Sequence, residues 1–230
     1  MSAITSLRNP RVVAAAKLHD AKHRRAQRRT LVEGPGAIDV ATDSGAAVIE
    51  VFSVVDSVGA TLVSNEVLAR ISGTESPRGP IAVVAIPERS EPRNVDTVVL
   101  WEVADPGNAG ALIRTAAFMG YDVAHHGGAD VWSPKAIRAA AGAQFAAHIA
   151  PIAGVDDLPV ASTIAAVADG GEIPQEVARP LAIVLGNEAA GLPKGVIGAV
   201  SHRVTIPGAF ESLNVAVAGS LLMDRYRLLR

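Results

Sequence analysis

The sequence predicts an α/β protein built in two parts, and three observations carry that prediction. Hydrophobic residues make up 49% of the 230-residue chain, enough to bury a sizeable core. Aromatic residues are only 3%, so that core must be made of Ala, Val, Ile and Leu, as where helices cover buried strands. Apolar runs of strand length alternate with helical patterns in two series, separated by a polar stretch at residues 88–96.

In the first series, residues 9–29 read as one helix, with Asn9 as its cap and Pro10 in its first turn. A second helix is expected near residues 35–42. Apolar segments at 48–55, 59–64 and 80–87 read as strands, with a short helix at 65–72 between the last two. The polar stretch 88–96 is taken as a linker, so the expected domains are 1–90 and 96–230. In the second series, strands are expected at 97–103, 121–126, 163–168, 181–186 and 203–207, and helices at 109–120, 134–142 and 212–230. These strands are almost continuously apolar, which predicts a parallel sheet covered on both faces.

The chain has no cysteine, which excludes disulfides and thiolate metal sites. Its six histidines show no zinc-binding spacing, and His125–His126 reads as a strand end. No segment has the length of a signal peptide's apolar region or of a membrane span. The expectation is a cytoplasmic protein with no membrane and no metal. A net charge of −2 hides an uneven distribution: residues 1–30 carry eight Lys or Arg and one acid, +7 in total, leaving −9 elsewhere. Such a split suggests an anionic partner for the N-terminal segment.

P-loop and nucleophile-elbow motifs are absent, and the single G-x-G at Gly34 does not follow an expected strand. Three polar loops at strand ends remain. The first, Asp105-Pro106-Gly107-Asn108, leads into an apolar helix that contains Arg114; Asn108 could cap the helix, with Arg114 a snorkelling side chain. The second, Gly186-Asn187-Glu188, ends a buried strand and reads either as a tight turn or as a ligand loop. The third runs from Ile206-Pro207 to Ser212-Leu213-Asn214. Ser212 is the expected cap of the last helix, which leaves Asn214 unexplained.

Taken together and in order, D-P-G-N-x-G-x-x-x-R-T, V-L-G-N-E and I-P…E-S-L-N-V resemble the three signature motifs of the SpoU (TrmH-like) family of SPOUT-class RNA methyltransferases. The phrases at 31–38 and 74–84 are similar to that family's ribosomal-protein-like RNA-recognition domain, so the resemblance covers nearly the whole chain. It implies a deep trefoil knot in the C-terminal domain and S-adenosyl-L-methionine as cofactor. The implied reaction is methyl transfer to a ribose 2′-hydroxyl of RNA, rRNA before tRNA. By the same resemblance Arg114, Asn108, Glu188, Ser212 and Asn214 are the catalytic set, the last four orienting Arg114 and the ribose. Leu185, Gly186, Ile206, Pro207 and Leu213 form the cofactor wall, with Gly186 letting the backbone come close to the cofactor.

The basic segment would meet RNA phosphates through Arg11, Lys17, Lys22, Arg24, Arg25, Arg28 and Arg29. A homodimer is implied, and the last helix, with Leu221, Leu222, Leu228 and Leu229, could supply its surface or could be core. The sequence departs from the family pattern in places. The loop at 207–211 is about two residues short, with Gly208 where a larger apolar residue is expected. The segments after Val55 and before Thr163 also look trimmed. The short loop leaves a second reading open, a non-catalytic RNA-binding or ribosome-assembly factor that keeps the methyltransferase fold.

Overall fold

The computed structural model describes residues 3–77, 79–174, 176–209 and 212–228. Leu229 of the expected dimer surface, and Phe210 and Glu211 of the short third loop, lie outside them. The chain forms two compact units, one of residues 1–88 with 132–146, the other of residues 89–131 with 147–230.

In the first unit the expected single N-terminal helix is two. α1 (Pro10–Ala16) is capped by Asn9, whose side chain accepts from Arg11 N, and a 3-10 turn follows at Lys17–His19. Asp20 then turns extended, and its carboxylate caps α2 (Ala21–Gln27) by accepting from Lys22 N. A residue that bonds the next turn's N–H in an extended conformation starts a new helix there. Strand β1 (Arg29–Glu33) follows directly, so Arg29, expected in the helix, begins a strand that the sequence reading did not assign. After β1 come α3 (Pro35–Asp43), β2 (Val48–Ser53), the two-residue β3 (Thr61–Leu62), α4 (Asn65–Ser72) and β4 (Ile81–Ala85). The sheet order is β1-β4-β2-β3, with β4 antiparallel to both neighbours.

Residues 132–146 belong to this unit's core. They carry α6 (Pro134–Ala140), and Ile137 and Phe145 cluster with Val32, Ala41, Ala82 and Val84. Arg138 pairs with Glu33, and Thr30 Oγ1 donates to Trp132 O at 2.7 Å.

The second unit is a six-stranded, wholly parallel sheet. It contains β5 (Thr97–Trp101), α5 (Pro106–Met119), β6 (Asp122–His126), β7 (Ile149–Pro151), β8 (Ser162–Ala166), β9 (Leu181–Leu185), α7 (Lys194–Ala199), β10 (His202–Val204) and α8 (Val215–Arg227). The order is β10-β8-β9-β5-β6-β7. Every residue of β5 and β9 is buried, which is why both read as unbroken apolar runs. One face packs Val99, Trp101, Ala165 and Val184 against Val155, Leu158, Leu192 and Val196. On the other face α5 packs on α8, closely enough that a side chain at Gly219 would strike Leu112 and Leu185. β7 and α7 were not expected from the sequence; both are too short to show a period.

Within α8, Leu222 is 2% exposed and belongs to the core, whereas Leu221 and Leu228 are 50% and 68% exposed. No helix among the described residues is long and apolar enough to cross a membrane, and no group of metal-ligating side chains occurs among them.

The turn after β6 presses on the start of the loop after β5. Gly128 has φ +67°, and an added Cβ would lie 2.4 Å from Val103 O and 2.8 Å from Glu102 C. Gly128→Ala is expected to cost about 2–4 kcal/mol, combining left-handed strain with overpacking against backbone. Urea unfolding measures it; a loss below about 0.5 kcal/mol, the scale of an ordinary surface change, would refute the close approach.

Candidate functional site

The three polar loops meet at the carboxyl edge of the parallel sheet, where open α/β sheets place their ligands. α5 opens the first. Its cap is Asp105, not Asn108: the Asp105 carboxylate accepts from Gly107 N at 2.7 Å and Asn108 N at 3.0 Å. Pro106 takes the first helical position, where no N–H is needed. That moves Asn108 into the first turn and frees its side chain for longer-range contacts.

Asn108 uses both ends of its amide. Its Nδ2 donates to Glu188 Oε1 at 2.8 Å, and its Oδ1 accepts from Asn214 Nδ2 at 2.9 Å. Asn214, not Ser212, caps α8, with Oδ1 accepting from Ala216 N at 2.9 Å and Val217 N at 3.3 Å. The last helix therefore starts at Val215 rather than at 212. Glu188 also accepts from Ala104 N at 2.8 Å through Oε2 and from Asp105 N at 3.1 Å through Oε1. One chain of hydrogen bonds, Asn214 to Asn108 to Glu188, thus ties all three loops together. Burial pushes the Glu188 carboxyl up, but the donors Asn108, Ala104 N and Asp105 N outweigh it and hold the group below the usual carboxylate range.

Asn187 braces the second loop from the other side. Its Oδ1 accepts from Ala189 N and Ala190 N, both at 2.9 Å, and its Nδ2 donates to Glu102 O at 3.0 Å. Gly186 is required for a reason the sequence did not give. An added Cβ would lie 2.6–2.7 Å from the backbone of Gly191 and Leu192, so the close approach is by the chain's own loop.

The second and third loops wall a cleft of about 1020 Å³, and the first is tied to them through Glu188 and Asn214. All five expected cofactor-wall residues, Leu185, Gly186, Ile206, Pro207 and Leu213, line it, as do Glu188, Ser212 and Asn214. Ala166, Val167, Ala168 and Asp169, after β8, form a further wall that the sequence reading missed; a polar Asp-Gly-Gly directly after an apolar strand was the available signal. Arg114 stands apart from the network. It is exposed on α5 and makes no hydrogen bond or ion pair with the described residues, so it is not oriented by Asn108, Glu188, Ser212 or Asn214 here. Six residues along α5 place it about 9 Å up the axis and about 120° around from Asn108.

The two histidines at the end of β6 are packed into the fold. His126 stacks on Trp101 at 4.0 Å and 12°, and its Nδ1 lies 3.1 Å from Ile152 O. Burial pushes the His125 imidazole down, against the opposing effect of Asp130.

A parallel sheet with a ligand-sized cleft at its carboxyl edge defines an α/β protein that binds a small molecule there. The protein-family comparison narrows the class: residues 96–224 match the SpoU rRNA Methylase family. The chain is 30% identical over 251 residues to the 23S rRNA (guanosine(2553)-2′-O)-methyltransferase RlmP of Bacillus subtilis, covering 99% of this chain and all of that one. Two crystal structures match its fold end to end. An RNA 2′-O ribose methyltransferase has 29% identity and TM-score 0.83, covering 100% of this chain and 98% of that one. An AdoMet-bound rRNA methyltransferase from Sinorhizobium meliloti has 27% identity and TM-score 0.85, covering 99% and 98%. The chain belongs to the SpoU rRNA methylase family.

Glu188 supports a pH test. Its folded-state pKa is depressed, so its stabilisation is present above the unfolded pKa and is lost as pH falls through the folded one. Glu188→Gln should be less stable than wild type at pH 7, and the gap should close as pH falls below about 4. Chemical unfolding across pH 3–7 measures this; a constant gap would show that charge is not what holds the loops.

Proposed function

We propose that this protein transfers the methyl group of S-adenosyl-L-methionine to a ribose 2′-hydroxyl of RNA, with rRNA of the 23S type favoured over tRNA. The observation that carries the reading is the Asn214–Asn108–Glu188 chain, which joins the three family loops beside one cleft that the second and third of them wall.

The residues present suit that cofactor. The cleft is of the size that takes a nucleoside-bearing ligand, and Leu185, Val204, Ile206 and Leu213 supply apolar wall. Its charged lining residues are Asp169 and Glu188, with no Lys, Arg or His among the described lining. Such a site favours a cation over a phosphorylated nucleotide. When bound, the cofactor supplies an electrophilic methyl on a sulfonium, so the transfer needs no metal.

A ribose hydroxyl is a poor nucleophile and must be positioned and relieved of its proton. Arg114 is the side chain assigned to that task. With a pKa above about 12 its guanidinium is a poor base; its role is to grip the adjoining phosphate and polarise the hydroxyl. It has no partner among the described residues, which leaves it available to substrate. Asn108, Glu188 and Asn214 hold the loops in register, and Ser212, exposed at the cleft, can meet the ribose.

The first unit, residues 1–88 with 132–146 where 1–90 was expected, is assigned to RNA recognition. Lys17, Lys22, Arg25 and Arg29 are exposed and make no ion pair with the described residues, which suits phosphate contact. Arg11 is paired with Glu50, and Arg28 donates to Pro87 O at 2.7 Å. Arg24 leaves the set: it is 4% exposed, and its NH1 donates to Leu18 O and His19 O at 2.8 Å, which makes it a brace of the helix turn.

The second unit, residues 89–131 and 147–230 where 96–230 was expected, is assigned the catalysis and the trefoil knot. A homodimer through this unit is supported by Phe118 on α5 and Val217, Leu221 and Leu228 on α8 and its end, all exposed. The cytoplasm, where ribosomal RNA is modified, is the assigned location.

Arg114→Ala should lower methyl transfer to RNA by at least about 100-fold while cofactor and RNA binding persist. Labelled methyl transfer, with mapping of the alkali-resistant linkage, reads it; undiminished transfer would remove Arg114 from the chemistry. Failure of the wild type to bind the cofactor in calorimetry would favour the non-catalytic RNA-binding reading. Lys22→Ala with Arg25→Ala should weaken RNA binding and flatten its dependence on log salt by about two counterions, without loss of stability. Arg24→Ala should instead lower stability, read by thermal unfolding.

A further inference from the structure

We propose that Asp169 is a cofactor-contact residue whose carboxylate accepts hydrogen bonds from the ribose 2′,3′-diol of the bound adenosine. The inference rests on the cofactor reading above and assigns a residue outside the three motif loops.

Among its described lining residues the cleft has two carboxylates, and they are not equivalent. Both Glu188 oxygens are taken up by Ala104 N, Asp105 N and Asn108 Nδ2, so that group is spent on joining loops. Asp169 is exposed at the cleft wall, and Gly170 N donates to its Oδ1 at 2.7 Å; no other partner of its carboxylate occurs among the described residues. One oxygen and the remaining lone pairs stay open to a ligand.

The segment carrying it is built to stay in place. Gly171 N donates to Thr205 Oγ1 at 3.0 Å, and Glu172 N to Arg203 O at 3.0 Å. A Cβ on Gly171 would meet Val204 C and Thr205 N at 2.7 Å, so residues 170–172 lie flat against the end of β10. Asp169 therefore stands at the start of a tethered segment, on the lining of the same cleft as Val204 and Ile206.

Strand order decides which part of the ligand it faces. The reacting end must lie near the β5 loop, beside Asn108, Glu188 and Asn214. β8 stands two places from β5, beyond β9, so roughly 10 Å separates their strand ends. The methyl group and its sulfonium then belong at the β9–β5 side and the nucleoside at the β8–β10 side. There the ribose diol is the donor group a carboxylate can take, as acidic residues do at ribose hydroxyls in other α/β sites.

Calorimetry separates the possibilities, using wild type, Asp169→Asn and Asp169→Ala with S-adenosylhomocysteine, 5′-methylthioadenosine and 2′,3′-dideoxy-5′-methylthioadenosine. Asp169→Ala should weaken the first two about 10-fold alike, because both carry the diol, and Asp169→Asn by a smaller factor. The dideoxy ligand should bind wild type and Asp169→Ala equally. Unligated melting temperatures should match, since the residue is exposed. The proposal is overturned if Asp169→Ala binds S-adenosylhomocysteine as wild type does, if the dideoxy ligand is weakened as much as its parent, or if only S-adenosylhomocysteine is weakened. The last result would place the carboxylate at the amino-acid end. Failure of wild type to bind S-adenosylhomocysteine would bring down the cofactor reading itself, an outcome distinct from failure of the variants alone.

Discussion

Glu188 accepts from two backbone N–H groups and one side-chain amide of the loop that opens α5, and through Asn108 it is linked to the cap of α8. The ends of three elements far apart in the chain are thereby fixed to one another. A carboxylate is well suited to this place because it only accepts, and the loop before a helix offers donors that no intrahelical carbonyl can take. Two asparagines suit the other positions because each amide both donates and accepts, so the chain continues through them. The cleft depends on this linkage, since Glu188 and Asn214, which line it, are held to each other through Asn108.

The sheet below supplies the rigidity the linkage needs. β5 and β9 are buried throughout, and the helices above them pack closely enough to require Gly219. Polar loops at the edge of such a platform can hold specific geometry because their ends cannot drift. Arg114 differs in kind. It projects from α5 without a partner among the described residues, so its final orientation is left to what binds beside it.

Charge is divided in the same functional manner. The cleft has acids and no bases among its described lining residues, while the exposed bases concentrate on the first unit's N-terminal helices. The first setting favours a cation and the second an anion.

Much of this was legible in the sequence. Continuous apolar strands imply burial on both faces, and three polar loops at strand ends identify the residues of the site, since those patterns depend on local residue type. The sequence also determined which residue kinds could cap the helices. Only the tertiary structure decided which ones do: Asp105 and Asn214 rather than Asn108 and Ser212, because capping depends on backbone angles and on what competes for each side chain. Arg24 reads as one more surface cation until the helix break at Asp20 folds it under, and β1 is hidden behind a basic run because its pairing partner, β4, lies about fifty residues away. Leu221 and Leu222 are indistinguishable by hydropathy, yet one faces outward and the other is core. Asp169 joins the cleft only because β8 pairs between β9 and β10. Residue chemistry is a local property that sequence carries directly; proximity between distant segments is set by packing, and packing decided the rest.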